Sequence, residues 1–232
     1  MSYDQYRDSY EAELDRAVRF TGKSHAFFTE AKALWLLRLA ERHVGDPRGV
    51  AALDVGCGIG LTDRHLEGRL GSLTGVDISR GVLERAEQAN PWARFVLYDG
   101  ERLPFDDGSF DLTFAVCVVQ VIEPGRRPSF VSELARVTRP GGLVVAFEHN
   151  PFNPLTRLVV RRCAFGDDAR MLKLEQLRTL FRGASLSTVE SAYILLFPSR
   201  RDPLRKLEER LSRLPLGAQY YLAGRAATGP KS

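Results

Sequence analysis

From Val50 onward the chain alternates short runs of branched and aromatic residues with stretches whose apolar positions recur every three or four residues. The first 45 residues lack the short runs. Residues 4–20 place Tyr6, Tyr10, Leu14, Ala17 and Val18 at helical spacing, and residues 24–44 do the same with Phe27, Phe28, Ala31, Leu34, Trp35 and Leu39. Thr21-Gly22-Lys23 separates these two predicted helices. Strands are predicted at 50–55, 72–77, 93–98, 110–118 and 143–148, with helices between them at 61–66, 79–89 and 128–137. Ser79 stands where it would cap the second of these helices, Asn90-Pro91 ends it, and Pro140-Gly141-Gly142 reads as a turn. Beyond His149 the pattern predicts a loop, a helix over 173–181, one or two strands over 185–196, an amphipathic helix over 203–214 and a last strand over 218–226. Strands alternating with helices predict an α/β fold whose mostly parallel sheet is covered on both faces.

Composition narrows the class. A chain of 232 residues, 44% hydrophobic and 27% charged, is long enough to bury a full core as one domain, which excludes disordered and fibrous classes. Cys57, Cys117 and Cys163 are odd in number and form no CxxC pair, so neither a disulfide framework nor a metal centre is expected. A reducing, cytoplasmic setting fits that usage. The start of the chain is too acidic and polar for a signal peptide, and the longest apolar stretch, at 114–122, falls short of the roughly 18 residues of a membrane span.

The net charge of +4 is unevenly divided. Up to Asn150 there are eighteen Lys and Arg against twenty-two Asp and Glu; after it there are fifteen against seven. A basic last third is suited to an anionic small-molecule partner. The chain has neither a dense basic tract nor interleaved aromatics for nucleic acid. The basic amphipathic stretch 203–214 is compatible with peripheral contact to a membrane surface, although docking on the sheet is the commoner use of such a helix. A monomer and a homodimer are both compatible with these features.

The segment Leu53-Asp54-Val55-Gly56-Cys57-Gly58-Ile59-Gly60 carries the chemistry. A buried strand enters a turn whose glycines lack the Cβ atoms that would hold a ligand off the backbone. A dinucleotide calls for GxGxxG, whereas the spacing here is GxGxG, and Asp54 before the first glycine would oppose a pyrophosphate while accepting from an ammonium. Asp77 ends the next strand, where a carboxylate can take both hydroxyls of a ribose. The pattern points to a nucleoside bearing positive charge.

LDVGCGIG, VDIS, YDGERLPFDDGSFDLTFAV and ELARVTRPGGLVVAFE, in that order, resemble the class I S-adenosylmethionine-dependent methyltransferases, and within them the small-molecule, type 11-like branch. The resemblance covers about residues 50–148. It implies a Rossmann-like, doubly wound sheet of seven strands with an antiparallel last strand, and N-terminal helices, residues 1–45, as a lid. Residues 46–148 would then be the cofactor-binding core and 149–232 a substrate-side insertion with the C-terminal strands. It also implies S-adenosylmethionine as cofactor, with Gly56, Cys57 and Gly58 beside its methionine portion and Asp54 near the amino end. Asp77 would hold the ribose, Ile78 would lie on the adenine, and Asp99, with Gly100, would accept from the adenine amino group. Val118 and Gln120 would border the sulfonium. Many relatives carry His where this chain has Gln120, and an amide cannot take up a proton.

The expected reaction is in-line methyl transfer, without metal, to a hydroxyl of a sugar, lipid-linked precursor or secondary metabolite. N- or C-methylation, a quinone-type acceptor and a non-catalytic scaffold are the alternatives. A base should lie at the carboxyl edge of the sheet, which nominates His149, with His25 in the lid as second candidate. Glu148, Asn150, Asn153 and Arg157 are the expected acceptor-side residues, and the arginines at 157, 161 and 162 are suited to a phosphate or carboxylate.

Overall fold

Leu53, Val55, Leu112, Phe114, Val144 and Phe147 are buried with almost no exposure, which is what strands covered on both faces require. The structure, a computed structural model, describes residues 10–162, 169–197, 207–208 and 210–228. Its strands are β1 (Ala51–Val55), β2 (Ser72–Asp77), β3 (Arg94–Leu97), β4 (Phe110–Val116), β5 (Thr138–His149), β6 (Leu186–Ile194) and β7 (Gln219–Ala226). They form one sheet in the order β3-β2-β1-β4-β5-β7-β6. The first five run parallel, while β7 lies antiparallel between β5 and β6. This is the seven-stranded, doubly wound arrangement expected from the sequence.

The helices are α1 (Tyr10–Val18), α2 (His25–His43), α3 (Arg80–Ala89), α4 (Arg127–Val137), α5 (Pro154–Arg162) and α6 (Leu174–Gly183). Leu36, Leu39 and Ala40 of α2 pack on one face of the sheet against Phe114, Val145 and Tyr221. Phe130 and Leu134 of α4, with Leu177 and Phe181 of α6, cover the other. Ser79 is the N-cap of α3, its Oγ accepting from the Val82 amide.

Three elements depart from the sequence pattern. The helix expected at 61–66 is a single 3-10 turn, Asp63–His65, in a stretch bracketed by Gly60 (φ 71°) and Gly68 (φ 66°). Their left-handed backbone closes the segment before a helix can propagate. The turn expected at Pro140-Gly141-Gly142 lies inside β5, with a register shift opposite Phe110 and Leu112. Pro154–Arg162, within the stretch after His149 expected as a loop, forms the helix α5. Tyr6, Cys163 and residues 203–206 and 209 of the helix expected at 203–214 lie outside the described residues. Cys57 and Cys117 are free thiols. Among the described residues, no helix is long and apolar enough to cross a membrane.

Candidate active site

A parallel sheet presents the carboxyl ends of its strands to one edge, and the loops leaving β1, β2, β4 and β5 open there around a cavity of about 1100 Å³. Asp54, Gly56, Cys57, Gly58, Asp77, Ile78, Asp99, Gly100, Val118, Gln120, His149, His25 and Asn153 all line it.

The glycine loop forms the floor at one end. Gly56, Gly58 and Gly60 have φ of 77°, 56° and 71°, a region that side-chain-bearing residues seldom adopt. A Cβ at Gly56 would come within 2.6 Å of Val118, and one at Gly60 within 2.3 Å of the Asn90 amide. Asp77 locks the loop to β2: its carboxylate accepts from the Gly58 amide at 2.9 Å and from the Ser79 amide at 3.0 Å. Asp99 folds back on its own turn, accepting from the amides of Glu101 and Arg102, which hold its carboxyl below the usual range.

Under the loop lies a residue that the sequence pattern did not single out. Asp63 is wholly buried, faces Asp54, and neither of its oxygens meets a hydrogen-bond donor among the described residues. Burial pushes both carboxyls up, Asp63 to about 7, and the neighbouring Asp63 raises Asp54 further while Asp54 holds Asp63 lower than burial alone would. The pair therefore shares a proton near neutral pH. Oδ1 of Asp54 likewise has no donor.

The other end of the cavity gathers around His149, at the tip of β5. Its ring is buried, and desolvation, helped by the charge of Lys32, lowers its pKa to about 4, so the imidazole is neutral at physiological pH. The Gln120 side chain lies against Nδ1, with Nε2 at 2.8 Å and Oε1 at 3.1 Å. Cys117 Sγ stands 4.0 Å from Nε2 of the ring and 3.8 Å from the Gln219 amide nitrogen. Cys117 itself has φ of 60°, an uncommon conformation for a residue with a side chain, held by its amide bonding to the Phe147 carbonyl at 2.7 Å. Arg127 stiffens the adjoining loop by donating to the carbonyls of Ile122, Gln120 and Arg170.

Lys32 is a second residue that the pattern left out. It is 6% exposed, lines the cavity from α2, and faces Asp54, Cys117, Glu148 and His149; burial lowers its pKa. The signal was present in α2, where His25, Thr29 and Lys32 occupy the buried stripe at i, i+4 and i+7. Polar residues on a buried stripe point to a wet site and not to plain core.

Several expected residues sit elsewhere. Glu148 does not line the cavity; it is fully buried behind it, accepts from the Val119 amide at 2.9 Å, and burial raises its pKa. Asn150 is also buried, donating to the carbonyls of Pro215 and Gly217. Arg157 is exposed on α5 and does not reach the cavity. His25 lines the cavity with its Nδ1 2.9 Å from Asp15 of α1, an engagement that ties α1 over the site. Arg64 to Glu11, at 2.9 Å, makes a second tie. Between the two ends, the wall is apolar: Leu14 and Val18 of α1, Phe28 of α2, and Leu155, Val159 and Val160 of α5.

Residues 53–146 match a family described as a methyltransferase domain. Over 112 residues the chain is 38% identical to the 2-methyl-6-phytyl-1,4-hydroquinone methyltransferase of Synechocystis sp., covering 45% of this chain and 33% of that protein. Over 110 residues it is 34% identical to the malonyl-[acyl-carrier protein] O-methyltransferase of Serratia marcescens, covering 47% and 41%. The matched stretch thus spans well under half of either curated relative. Among solved structures, an S-adenosylmethionine-dependent methyltransferase of Thermotoga maritima, described as a possible histamine N-methyltransferase, has a TM-score of 0.68 at 19% identity. It covers 97% of this chain and 98% of that one, so the two share a fold.

Proposed function

We propose that this chain, whose residues 53–146 match a methyltransferase-domain family, moves a methyl group from S-adenosylmethionine to a hydroxyl on a largely apolar small molecule. The observation that carries the reading is the continuity of one cavity from the glycine loop and Asp77, past His149, to the apolar wall of α1 and α5.

The residues present fit the cofactor. Gly56 and Gly58 leave bare backbone at the cavity floor, and a Cβ at Gly56 would fill space that Val118 already borders. Asp54 offers a buried, donorless oxygen to an ammonium group. Asp77 lines the cavity at the carboxyl end of β2, where a carboxylate can accept from ribose hydroxyls. S-Adenosylmethionine supplies an electrophilic methyl group on its sulfonium.

The protein's own part is alignment and proton removal. With Gln120 Oε1 accepting from Nδ1–H, His149 keeps the lone pair of Nε2 for the acceptor's proton. Lys32, facing the same space, favours the oxyanion that develops as the proton leaves. The apolar wall supports an acceptor with a hydrocarbon or aromatic body in preference to a free sugar. Of the two curated relatives, one is named for a phytyl hydroquinone, a molecule with an apolar body, and the other for O-methyl transfer to a malonyl carrier protein. His25 is better read as an anchor of the lid than as a base, because its Nδ1 is engaged by Asp15.

The test is incubation with labelled cofactor and two acceptor panels, alkylated phenols or hydroquinones against free sugars, with the products resolved by mass spectrometry. Label on an oxygen of the apolar panel is expected. Label confined to sugars, or to carbon or nitrogen, overturns the reading.

A further inference from the structure

Five large apolar side chains stand in solvent at one rim of the cavity: Phe152 (54% exposed), Leu155 (57%) and Leu158 (37%) on and before α5, and Leu214 and Leu216 (48% each) on the facing turn. Scattered single exposures need no explanation, but a contiguous apolar patch does. These two segments are tied together. Asn150 donates to the carbonyls of Pro215 and Gly217, Asn153 to that of Leu216 at 2.8 Å, and Thr156 to that of Ala218 at 2.8 Å. The leucines are thus presented outward by a braced backbone.

Among the described residues of these two segments, the charge has one sign. Arg157, Arg161 and Arg162 on α5 and Arg210 and Arg213 before the turn are all exposed, and residues 150–162 and 210–218 contain no Asp or Glu. None of these five guanidinium groups is in an ion pair among the described residues. Apolar side chains interleaved with unpaired arginines match the boundary between headgroups and acyl chains of an anionic bilayer. The far side of the same helix faces inward: Val159 and Val160 line the cavity, and Leu155 both lines it and reaches solvent.

We infer that the face formed by α5 and the 210–217 segment docks on anionic lipid bilayers, placing the cavity mouth against the membrane so that an acceptor dissolved in the lipid enters beside Leu155. Docking of this kind depends on exposure and charge alone and stands apart from methyl transfer, so its test needs no activity.

The experiment is flotation of the full chain with vesicles of phosphatidylcholine alone and of phosphatidylcholine with an equal part of phosphatidylglycerol, at low and high salt. Two variants accompany the native chain: Leu158→Ser/Leu214→Ser/Leu216→Ser and Arg161→Glu/Arg162→Glu. All five positions are exposed, so both variants are expected to melt with the native chain, and circular dichroism checks this. The native chain should partition onto the anionic vesicles at least tenfold more than onto the neutral ones, and salt should weaken it. Each variant should lose most of that partition, about fivefold per arginine for the charge variant. Equal binding to both vesicles, no binding to either, or binding untouched by both variants overturns the inference. So does a dimer in solution that the leucine variant dissociates while vesicle binding persists, since the face then belongs to a second copy of the chain.

Discussion

Gln120 holds the ring of His149 from a different strand end, its side-chain amide within 2.8–3.1 Å of Nδ1. Gln120 thus acts on the histidine that leaves β5. Because burial and Lys32 lower the His149 pKa to about 4, the inactive imidazolium forms only at low pH. With the cofactor saturating, the pH profile of kcat/KM for the acceptor should therefore stay level through 6.5 and fall as pH drops through about 4. His149→Gln should reduce kcat about 100-fold or more while calorimetry finds cofactor affinity within twofold of native. An inflection at 6.5 would mean that the ring titrates in solvent.

Lys32 contributes to that low value by charge alone, so its removal has a predictable sign. In Lys32→Met the imidazolium of His149 loses a repulsive neighbour, and the acid inflection should move above 4. The methionine fills similar space, so the melting temperature should change by only a few degrees. A profile unchanged in its inflection would remove Lys32 from the site's electrostatics.

Asp54 and Asp63 form the second pH-dependent element. A carboxyl whose pKa is raised by folding stabilises the protein fully below its unfolded value of 3.8, and that contribution is lost as pH rises through the folded value, about 7 for Asp63. Asp63→Asn removes the titration and leaves a donor for Asp54. Its stability should match the native one below about pH 4, exceed it increasingly between pH 4 and 7, by up to about 4 kcal/mol, and level off above pH 7, as read from thermal melts across that range. An ammonium placed against Asp54 favours its charged form. Cofactor binding at pH 7 should then release protons, read as a dependence of calorimetric heat on buffer ionisation enthalpy, and this dependence should shrink in Asp63→Asn.

Gly56 is restricted twice, by φ of 77° and by Val118, which would lie 2.6 Å from any Cβ placed there. Gly56→Ala should weaken cofactor binding at least tenfold and destabilise the fold by about 1–2 kcal/mol from backbone strain alone. Gly125, where a Cβ would meet nothing within 4 Å and φ is not left-handed, serves as the control: Gly125→Ala should leave both quantities near native.

How much of this was legible beforehand depended on distance along the chain. The β1 turn, its glycines and Asp77 were readable because a strand, a tight turn and the next strand end are set within a few dozen residues by local pattern. His149 was readable as the tip of β5, yet its neighbours were misplaced. Successive side chains on a strand point to opposite sides. His149 facing the cavity therefore sends Glu148 and Asn150 away from it, to the Val119 amide and to the carbonyls of Pro215 and Gly217. The parity at the strand end was not fixed until the sheet register was known.

The alternation of strands and helices, the bare glycine floor and the acids that end two strands followed from hydrophobic period or from the backbone freedom of a few adjacent residues, whereas the count of seven strands came only with the family resemblance. Only the tertiary structure decided which polar groups meet. Lys32 comes from a helix before the sheet, Asp63 from a turn beneath it, and Gln219 from the last strand. Their significance lies in being buried together around Asp54, Cys117 and His149, and desolvation and charge coupling are properties of proximity in space that no spacing in the chain encodes.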